Sequence, residues 1–196
     1  DGQALTRAGA QAGDLIAVSG TLGASAAGLR LLTANGAAHG AATADFLIAA
    51  HLRPQPRLAL GRLLVVHGAT AAMDLSDGLF GDLPKLLGAS GATGRIDART
   101  IPVASSVRAH FPLDWLELAT RGGEDYELLF TIPGPRWFAL SRAASEIGAT
   151  LTTIGAVTTP APSTPLLTVV GLDGRTAPID AQAFDHFGGE DSSSSA

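Results

Sequence analysis

An apolar segment that ends in two closely spaced aspartates constrains the fold of this chain more than any other feature. Residues 71–75 are mostly apolar and predict a buried strand, whereas leucines over residues 79–87 recur at helical spacing. The turn between them reads Asp-Leu-Ser-Asp-Gly. Asp74 ends the predicted strand, Ser76 lies in the turn, and Asp77 is placed to cap the helix.

This strand-to-helix turn brings two carboxylates, a hydroxyl and free helix N–H groups to one point. Carboxylate oxygens suit Mg²⁺, and N–H groups suit phosphate oxygens, so the turn predicts a site for a metal-bound phosphate. The alternative is an ordinary helix cap, which needs only Ser76 or Asp77. Asp74 favours the metal site because a helix cap does not need this residue. A bound cation also reduces the repulsion between two neighbouring carboxylates.

The composition of the chain excludes several classes of function. The formal charge of −5 provides no basic footprint, so we expect no nucleic-acid partner. Cysteine is absent, which excludes disulfides and thiolate metal sites. No apolar run is long enough for a membrane span, and residues 1–13 do not resemble a signal peptide, so we predict a cytoplasmic protein. His51, His67 and His110 lack metal-ligand spacing and are interpreted as ordinary histidines.

Periodicity predicts alternating strands and helices along most of the chain. A strand over residues 15–19, a glycine turn over 20–23 and a helix over 25–32 form a shape that can cradle phosphate. Because the spacing matches neither a dinucleotide fingerprint nor a P-loop, we favour tight helix–strand packing there. The further predictions are a loop over 35–43, helices over 44–52, 58–67, 105–110, 114–119 and 137–147, strands over 95–97, 128–130 and 151–157, and a hairpin over 166–175.

A second polar cluster follows Gly122 and Gly123. Three acids, Glu124, Asp125 and Glu127, lead directly into the apolar strand, although carboxylates are unfavourable in β structure. The two glycines permit a close backbone approach. The cluster is therefore interpreted either as a functional site or as a solvated turn with capping acids.

Four motifs in this order resemble thiamine-monophosphate kinase. They are Thr-Arg-Ala-Gly-Ala with Ser-Gly-Thr-Leu-Gly near the start, Asp-Leu-Ser-Asp-Gly-Leu, Gly-Gly-Glu-Asp-Tyr-Glu-Leu, and Phe-Asp-His-Phe near the end, and the likeness covers residues 2–187. The resemblance is to the family's C-terminal domain, with residues 1–13 as a lead-in and 188–196 as a disordered tail. It implies an α/β (α+β) fold, a layered mixed β-sheet flanked by helices, as in the aminoimidazole ribonucleotide synthetase-related family.

The resemblance also implies an activity. Enzymes of this family transfer the γ-phosphoryl group of ATP to thiamine monophosphate with the help of Mg²⁺, and the full-length form is expected to be a homodimer. The family's N-terminal domain is expected to be missing from this chain, which would leave the chain alone inactive or nearly so. The alternative is a non-catalytic module that binds thiamine phosphate or a nucleotide.

Site residues follow from the matched positions. Arg7 and Ser76 correspond to residues that contact ATP, and Asp74 and Asp77 correspond to Mg²⁺ ligands. For the substrate, Glu124 corresponds to an acid that contacts thiamine monophosphate, with Asp125 as the alternative. Phe184 corresponds to an aromatic residue that packs on the substrate, with Phe187 as the alternative. No catalytic base is expected among these residues.

Overall fold

The computed structural model describes residues 4–34 and 42–179. Within them, seven β-strands and seven α-helices alternate along the chain. In order, they are β1 Asp14–Ser19, α1 Ala24–Thr33, α2 Ala42–Leu52, α3 Leu58–Val66, β2 Ala71–Asp74, α4 Leu79–Ala89, β3 Thr93–Asp97, α5 Ser105–His110, α6 Trp115–Arg121, β4 Leu128–Pro133, α7 Trp137–Glu146, β5 Leu151–Thr158, β6 Leu167–Val170 and β7 Thr176–Pro178.

All seven strands join one mixed sheet, in the order β2-β4-β1-β5-β3-β6-β7. Neighbouring strands are antiparallel except β3 and β6, which are parallel. The predicted layered mixed sheet flanked by helices is confirmed. None of the helices among the described residues is long and apolar enough to cross a membrane.

Strand β1 shows how the sheet buries both faces. Ile16 and Val18 point into a core that also contains the leucines of α4. Ala17, the residue between them, belongs to the opposite core, which includes Leu64 of α3 and Leu140 of α7. Successive side chains of a strand alternate between faces, so a central strand covered by helices on both sides reads as continuously apolar.

One sequence prediction changes in detail. Residues 172–175 were predicted as part of the hairpin, but they form its turn, and the return strand begins at Thr176. Asp173 and Gly174 favour turn geometry, which explains the shift. The loop predicted over 35–43 lies largely outside the described residues, and so does the predicted tail over 188–196.

Helices α1 and α2 pack with their backbones in close contact at Gly28. A Cβ atom at this position would lie 2.0 Å from the carbonyl oxygen of Leu47. Gly61 of α3 is also within a helix, but a Cβ there would meet no atom within 4 Å. The two glycines therefore differ in surroundings while sharing a helical backbone.

We expect Gly28→Ala to lower the free energy of unfolding by about 1–3 kcal/mol, because the new methyl group forces α1 and α2 apart. Gly61→Ala is the matched control and should raise it by about 1 kcal/mol through helix propensity alone. Urea unfolding followed by circular dichroism measures both. Equal changes for the two variants would contradict the close contact at Gly28.

Candidate functional site

The two polar motifs predicted from sequence lie against each other. The N–H of Glu124 donates to the carbonyl of Ser76 over 2.9 Å, and the N–H of Tyr126 donates to the carbonyl of Leu75 over 3.0 Å. In return, the N–H of Leu75 donates to the carbonyl of Glu127 over 2.8 Å. These three bonds continue the β2–β4 pairing beyond Asp74 and join the motifs into one site at the end of the sheet.

Close backbone approach at Gly123 makes this contact possible. A Cβ atom on Gly123 would lie 2.5 Å from the carbonyl oxygen of Ser76. Immediately after it, Glu124 and Tyr126 adopt positive φ angles of 67° and 50°. Such angles are uncommon for residues other than glycine and are held by surrounding structure. The hydrogen bonds to residues 75 and 76 supply that constraint.

The predicted capping role of Asp77 is wrong. Gly78 is the N-cap of α4, and no side chain caps the helix there. Instead, the fully buried carboxylate of Asp82 accepts the N–H groups of Ser76 and Asp77 over 2.9 and 2.8 Å. A side chain of the first turn of α4 thus holds the loop that precedes the helix. Asp77 remains exposed, and its carboxylate does not cap α4.

Asp74 and Asp77 both remain accessible for binding. Asp74 is exposed at the end of β2, and Asp77 forms an ion pair with Lys85, the sole lysine of the sequence. Lys85 also reaches Asp82 over 2.8 Å. Over residues 4–34 and 42–179, no group of three or more acidic or histidine side chains is placed to hold a metal ion. The two aspartates therefore fit part of a Mg²⁺ coordination shell, not a complete one.

Asp125 closes the N-terminal end of α1. Its carboxylate accepts the N–H of Gly23 over 2.7 Å and the N–H of Ser25 over 3.1 Å. Helix N-termini favour negative charge, and here that charge comes from within the chain. The carboxylate of Asp125 thus occupies the end of α1 that follows the glycine turn, and Asp125 is a partly buried capping acid.

Burial governs the protonation of Asp125. Loss of water around the carboxyl group raises its pKa to about 6, and the nearby charge of Glu127 adds to this effect. The hydrogen bonds from Gly23 and Ser25 act in the opposite direction. Two described acids have a pKa that departs clearly from the usual value of aspartate. Of these two, Asp125 is the one whose pKa is raised toward neutral pH.

Glu127 is a buried anchor that sequence analysis did not single out. Its carboxylate accepts Nε and Nη2 of Arg57 over 3.0 and 2.5 Å, and the hydroxyl of Ser19 over 2.5 Å. Only 4% of Glu127 is exposed. The contact ties the connector between α2 and α3 to the start of β4. A charged residue that enters a core strand was the available signal, because buried charges require partners.

His51 was interpreted as an ordinary histidine, but it lies beside the predicted substrate residue. Its Nδ1 is 3.0 Å from the Ser25 hydroxyl and 3.5 Å from Oε2 of Glu124. Glu124 itself is exposed. His51 comes from α2, far away in sequence, and no local spacing pattern relates it to Glu124.

Arg7, a further predicted residue, is not brought to this cluster. The backbone of Arg7 lies at the C-terminal end of α4, where its carbonyl accepts the Ser90 hydroxyl over 3.4 Å. Ser76 lies before the N-terminal end of the same helix, which has 11 residues and is therefore about 16 Å long. Phe184 and its alternative Phe187 lie outside the described residues.

A wide groove opens beside Asp74. Its volume is about 690 Å³, and it extends along one face of α3 toward Tyr126. Arg57 and Arg62 also line it. The site as a whole combines exposed carboxylates, arginines and an apolar groove, which suits a phosphorylated organic ligand.

The fold and the site define the class of this protein. Residues 11–159 match the family model described as "AIR synthase related protein, C-terminal domain". The chain belongs to this family, which confirms the resemblance indicated by the four sequence motifs.

Curated relatives narrow the similarity to one kind of enzyme. The chain is 41% identical over 191 residues to the thiamine-monophosphate kinase of Escherichia coli (strain K12), and 32% identical over 187 residues to that of Bacillus subtilis (strain 168). Each match covers 95% of this chain but 56% of the relative. The chain thus spans little more than half the length of these enzymes. The family model that it matches describes a C-terminal domain.

Solved structures agree with this similarity. The thiamine-monophosphate kinase from Stenotrophomonas maltophilia K279a superimposes with a TM-score of 0.80 at 38% identity, over 90% of this chain and 55% of that one. A structure described as AaThiL complexed with AMPPCP and TMP gives a TM-score of 0.73 at 34% identity, over 87% and 51% of the two chains. That relative therefore holds a nucleotide analogue and TMP together.

The raised pKa of Asp125 predicts a specific pH dependence of stability. The folded state holds a proton at this carboxyl up to about pH 6, whereas an unfolded aspartate loses it near pH 4. The contribution of Asp125 to the free energy of unfolding therefore falls as pH rises from about 4 to about 6, by at most about 3 kcal/mol. Asp125→Asn removes this dependence.

Urea unfolding of the wild type and of Asp125→Asn at pH 4, 5, 6 and 7 provides the measurement. The wild type should lose stability relative to the variant across this range. A difference between the two proteins that stays constant with pH would show that burial does not raise the pKa of Asp125.

Proposed function

We propose that this chain supplies the C-terminal part of an enzyme that phosphorylates thiamine monophosphate to thiamine diphosphate at the expense of ATP. One observation supports this most directly. The motif with Asp74, Ser76 and Asp77 is hydrogen-bonded to the motif with Glu124, so residues predicted for metal, nucleotide and substrate lie at one end of the sheet. The similarity to thiamine-monophosphate kinases supports the same assignment.

In this proposal, Asp74 and Asp77 provide carboxylate ligands for Mg²⁺. Bound Mg²⁺ neutralises phosphate charge, which is a main requirement of phosphoryl transfer. Asp82 fixes the backbone of the turn that carries Asp77. Lys85, paired with Asp77 here, supplies positive charge at the same place. In this proposal, the further ligands that Mg²⁺ needs come from residues other than the described ones.

Ser76 and Arg7 are proposed to contact ATP. Ser76 lies in the turn between the two aspartates, where a hydroxyl can bind a phosphate oxygen. Arg7 is exposed and is suited to a bidentate contact with phosphate. Since Arg7 and Ser76 lie at opposite ends of α4, the two residues contact separate parts of the nucleotide or separate copies of it. In a homodimer of the full-length enzyme, Arg7 and Ser76 of one chain would contact two separate nucleotides.

Glu124 is proposed to bind the thiamine moiety, which carries a cationic thiazolium and an aminopyrimidine. A carboxylate suits either group, and Nδ1 of His51 lies 3.5 Å from Oε2 of Glu124. Phe184 is proposed to stack on the substrate through aromatic or cation–π contact. No general base is needed, because the terminal phosphate that accepts the phosphoryl group is already ionised.

A non-catalytic module that binds thiamine phosphate is the second candidate. The observation that favours it is the incomplete metal site among the described residues. The two candidates agree on substrate binding and differ on turnover. They are therefore separated by an assay in which the missing part is supplied.

A chimera tests turnover directly. In it, this chain replaces the matching C-terminal part of the Escherichia coli relative, and thiamine diphosphate formed from ATP and thiamine monophosphate is measured by chromatography. We expect turnover, and Asp74→Asn should reduce it about 10- to 100-fold because a metal ligand is lost. Asp173→Asn, an exposed aspartate in the β6–β7 turn, is the matched control.

A folded chimera that binds thiamine monophosphate but forms no product would support the binding module. Equal turnover in Asp74→Asn and Asp173→Asn would instead remove Asp74 from the metal site. Circular dichroism of each variant shows whether the chimera is folded.

Phe184→Ala should weaken binding of thiamine monophosphate about tenfold and leave ATP binding unchanged, since cation–π and stacking contacts contribute about 1–2 kcal/mol. Isothermal titration calorimetry of the chimera with each ligand provides the measurement. Phe187→Ala distinguishes the alternative aromatic residue. Equal losses for both ligands would argue against a substrate-stacking role.

A further inference from the structure

The groove beside Asp74 has one helical wall with a regular pattern. Leu58, Gly61, Arg62 and Val65 of α3 recur at helical spacing and line the same face of the groove. Gly61 leaves open space between the larger side chains, since a Cβ there would meet nothing within 4 Å. The result is an apolar trough with a guanidinium group partway along it.

The rest of the lining combines apolar and polar groups. Pro54 and Pro56 of the connector between α2 and α3 belong to it, and so do Tyr126 and Leu128. Asp74 is the acidic side chain in this lining. At about 690 Å³, the groove is in the size range of small-molecule sites.

Arg57 enters the groove in a fixed orientation. Its Nε and Nη2 atoms bind the buried carboxylate of Glu127, which holds the guanidinium plane. An arginine carries five N–H donors, so three of them are not used by Glu127. The pairing also raises the pKa of Arg57, which keeps the group charged at every relevant pH. Arg57 therefore offers oriented donors at little further cost in conformational entropy.

Arg62 adds a second positive charge along the same groove. It is exposed and has no hydrogen-bond or ion-pair partner within residues 4–34 and 42–179. Arg57 is paired with Glu127, so Arg62 is the arginine of this lining whose guanidinium is left open to an anionic group. A ligand with an anionic end and a flat apolar body matches this distribution, since arginine favours planar contacts with phosphate oxygens.

We propose that this groove binds a phosphate monoester attached to an aromatic ring, with Arg57 and Arg62 contacting the phosphate and the walls of α3 and Tyr126 contacting the ring. The inference rests on the proposed function, for which the ligand is the substrate thiamine monophosphate. It assigns phosphate recognition on the substrate to two residues outside all four sequence motifs of the site. Asp74 then lies next to the phosphate, where a cation bound between the two would offset their negative charges.

Binding to the whole chain tests this assignment without turnover. Isothermal titration calorimetry compares thiamine monophosphate with thiamine, in the presence of EDTA so that no divalent cation links the phosphate to Asp74. The wild type should bind the phosphorylated compound about tenfold more tightly, a difference of about 1.4 kcal/mol, because thiamine lacks the charge-assisted hydrogen bonds of the phosphate. Inorganic phosphate should compete with thiamine monophosphate.

Variants identify the residues. Arg62→Gln should abolish most of the preference for thiamine monophosphate over thiamine, and Arg57→Lys should reduce it because the fixed planar donors are lost. Arg142→Gln is the matched control: Arg142 is exposed on α7, and its loss changes the net charge equally. Arg62 is a surface residue, so its replacement tests the proposal even where changes at Arg57 destabilise Glu127.

Three results would overturn the inference. They are equal affinity of the wild type for thiamine and thiamine monophosphate, absence of binding of either thiamine monophosphate or phosphate at millimolar concentration, and equal effects of Arg62→Gln and Arg142→Gln. The proposed function is judged separately by product formation in the chimera. A chimera that turns over while Arg62→Gln has no effect would reject this phosphate site and retain the enzyme.

Discussion

The backbone contact between the turn after β2 and the segment before β4 holds the candidate site together. Three hydrogen bonds cross between residues 75–76 and residues 124–127, and the close approach at Gly123 allows them. A side chain at that position would separate the two segments and release the positive φ angles of Glu124 and Tyr126. Substrate and metal candidates are therefore positioned by one another rather than by independent loops.

Buried carboxylates organise the surroundings of this contact. Asp82 holds the turn of Ser76 and Asp77, Asp125 holds the start of α1, and Glu127 holds the connector that carries Arg57. Each satisfies N–H groups or a guanidinium that would otherwise be unpaired in a low-dielectric environment. As a consequence, the acids of the two motifs that remain exposed, Asp74, Asp77 and Glu124, are the ones available to a ligand.

The division between supporting and exposed acids also explains why the site is incomplete as it stands. Asp77 is balanced by Lys85, and the described residues contain no three-ligand metal cluster. The chain also covers 56% of the length of the curated relatives it matches. The arginine-lined groove along α3, in contrast, is built entirely from residues of this chain.

Most of the elements could be predicted from sequence because their apolar periodicity is strong. The strand and helix around Asp74, the core strand beginning at Leu128 and the amphipathic α7 all appear where the pattern placed them. The motifs likewise indicated which segments carry chemistry. Residue spacing did not reveal that Asp82, rather than Asp77, supports the turn, since both acids flank the helix start and only burial distinguishes them.

Sequence by itself determined the mixed fold, the two polar motifs and the absence of cysteine chemistry, because these depend on local periodicity and composition. Only the tertiary structure decided the partners of those motifs. His51 beside Glu124, and Arg57 on Glu127, join residues 70 or more positions apart, and the packing of α2 and of the connector after it against the segment that leads into β4 brings them together. Such contacts depend on how helices pack on the sheet, and a local pattern in the sequence carries no information about that packing.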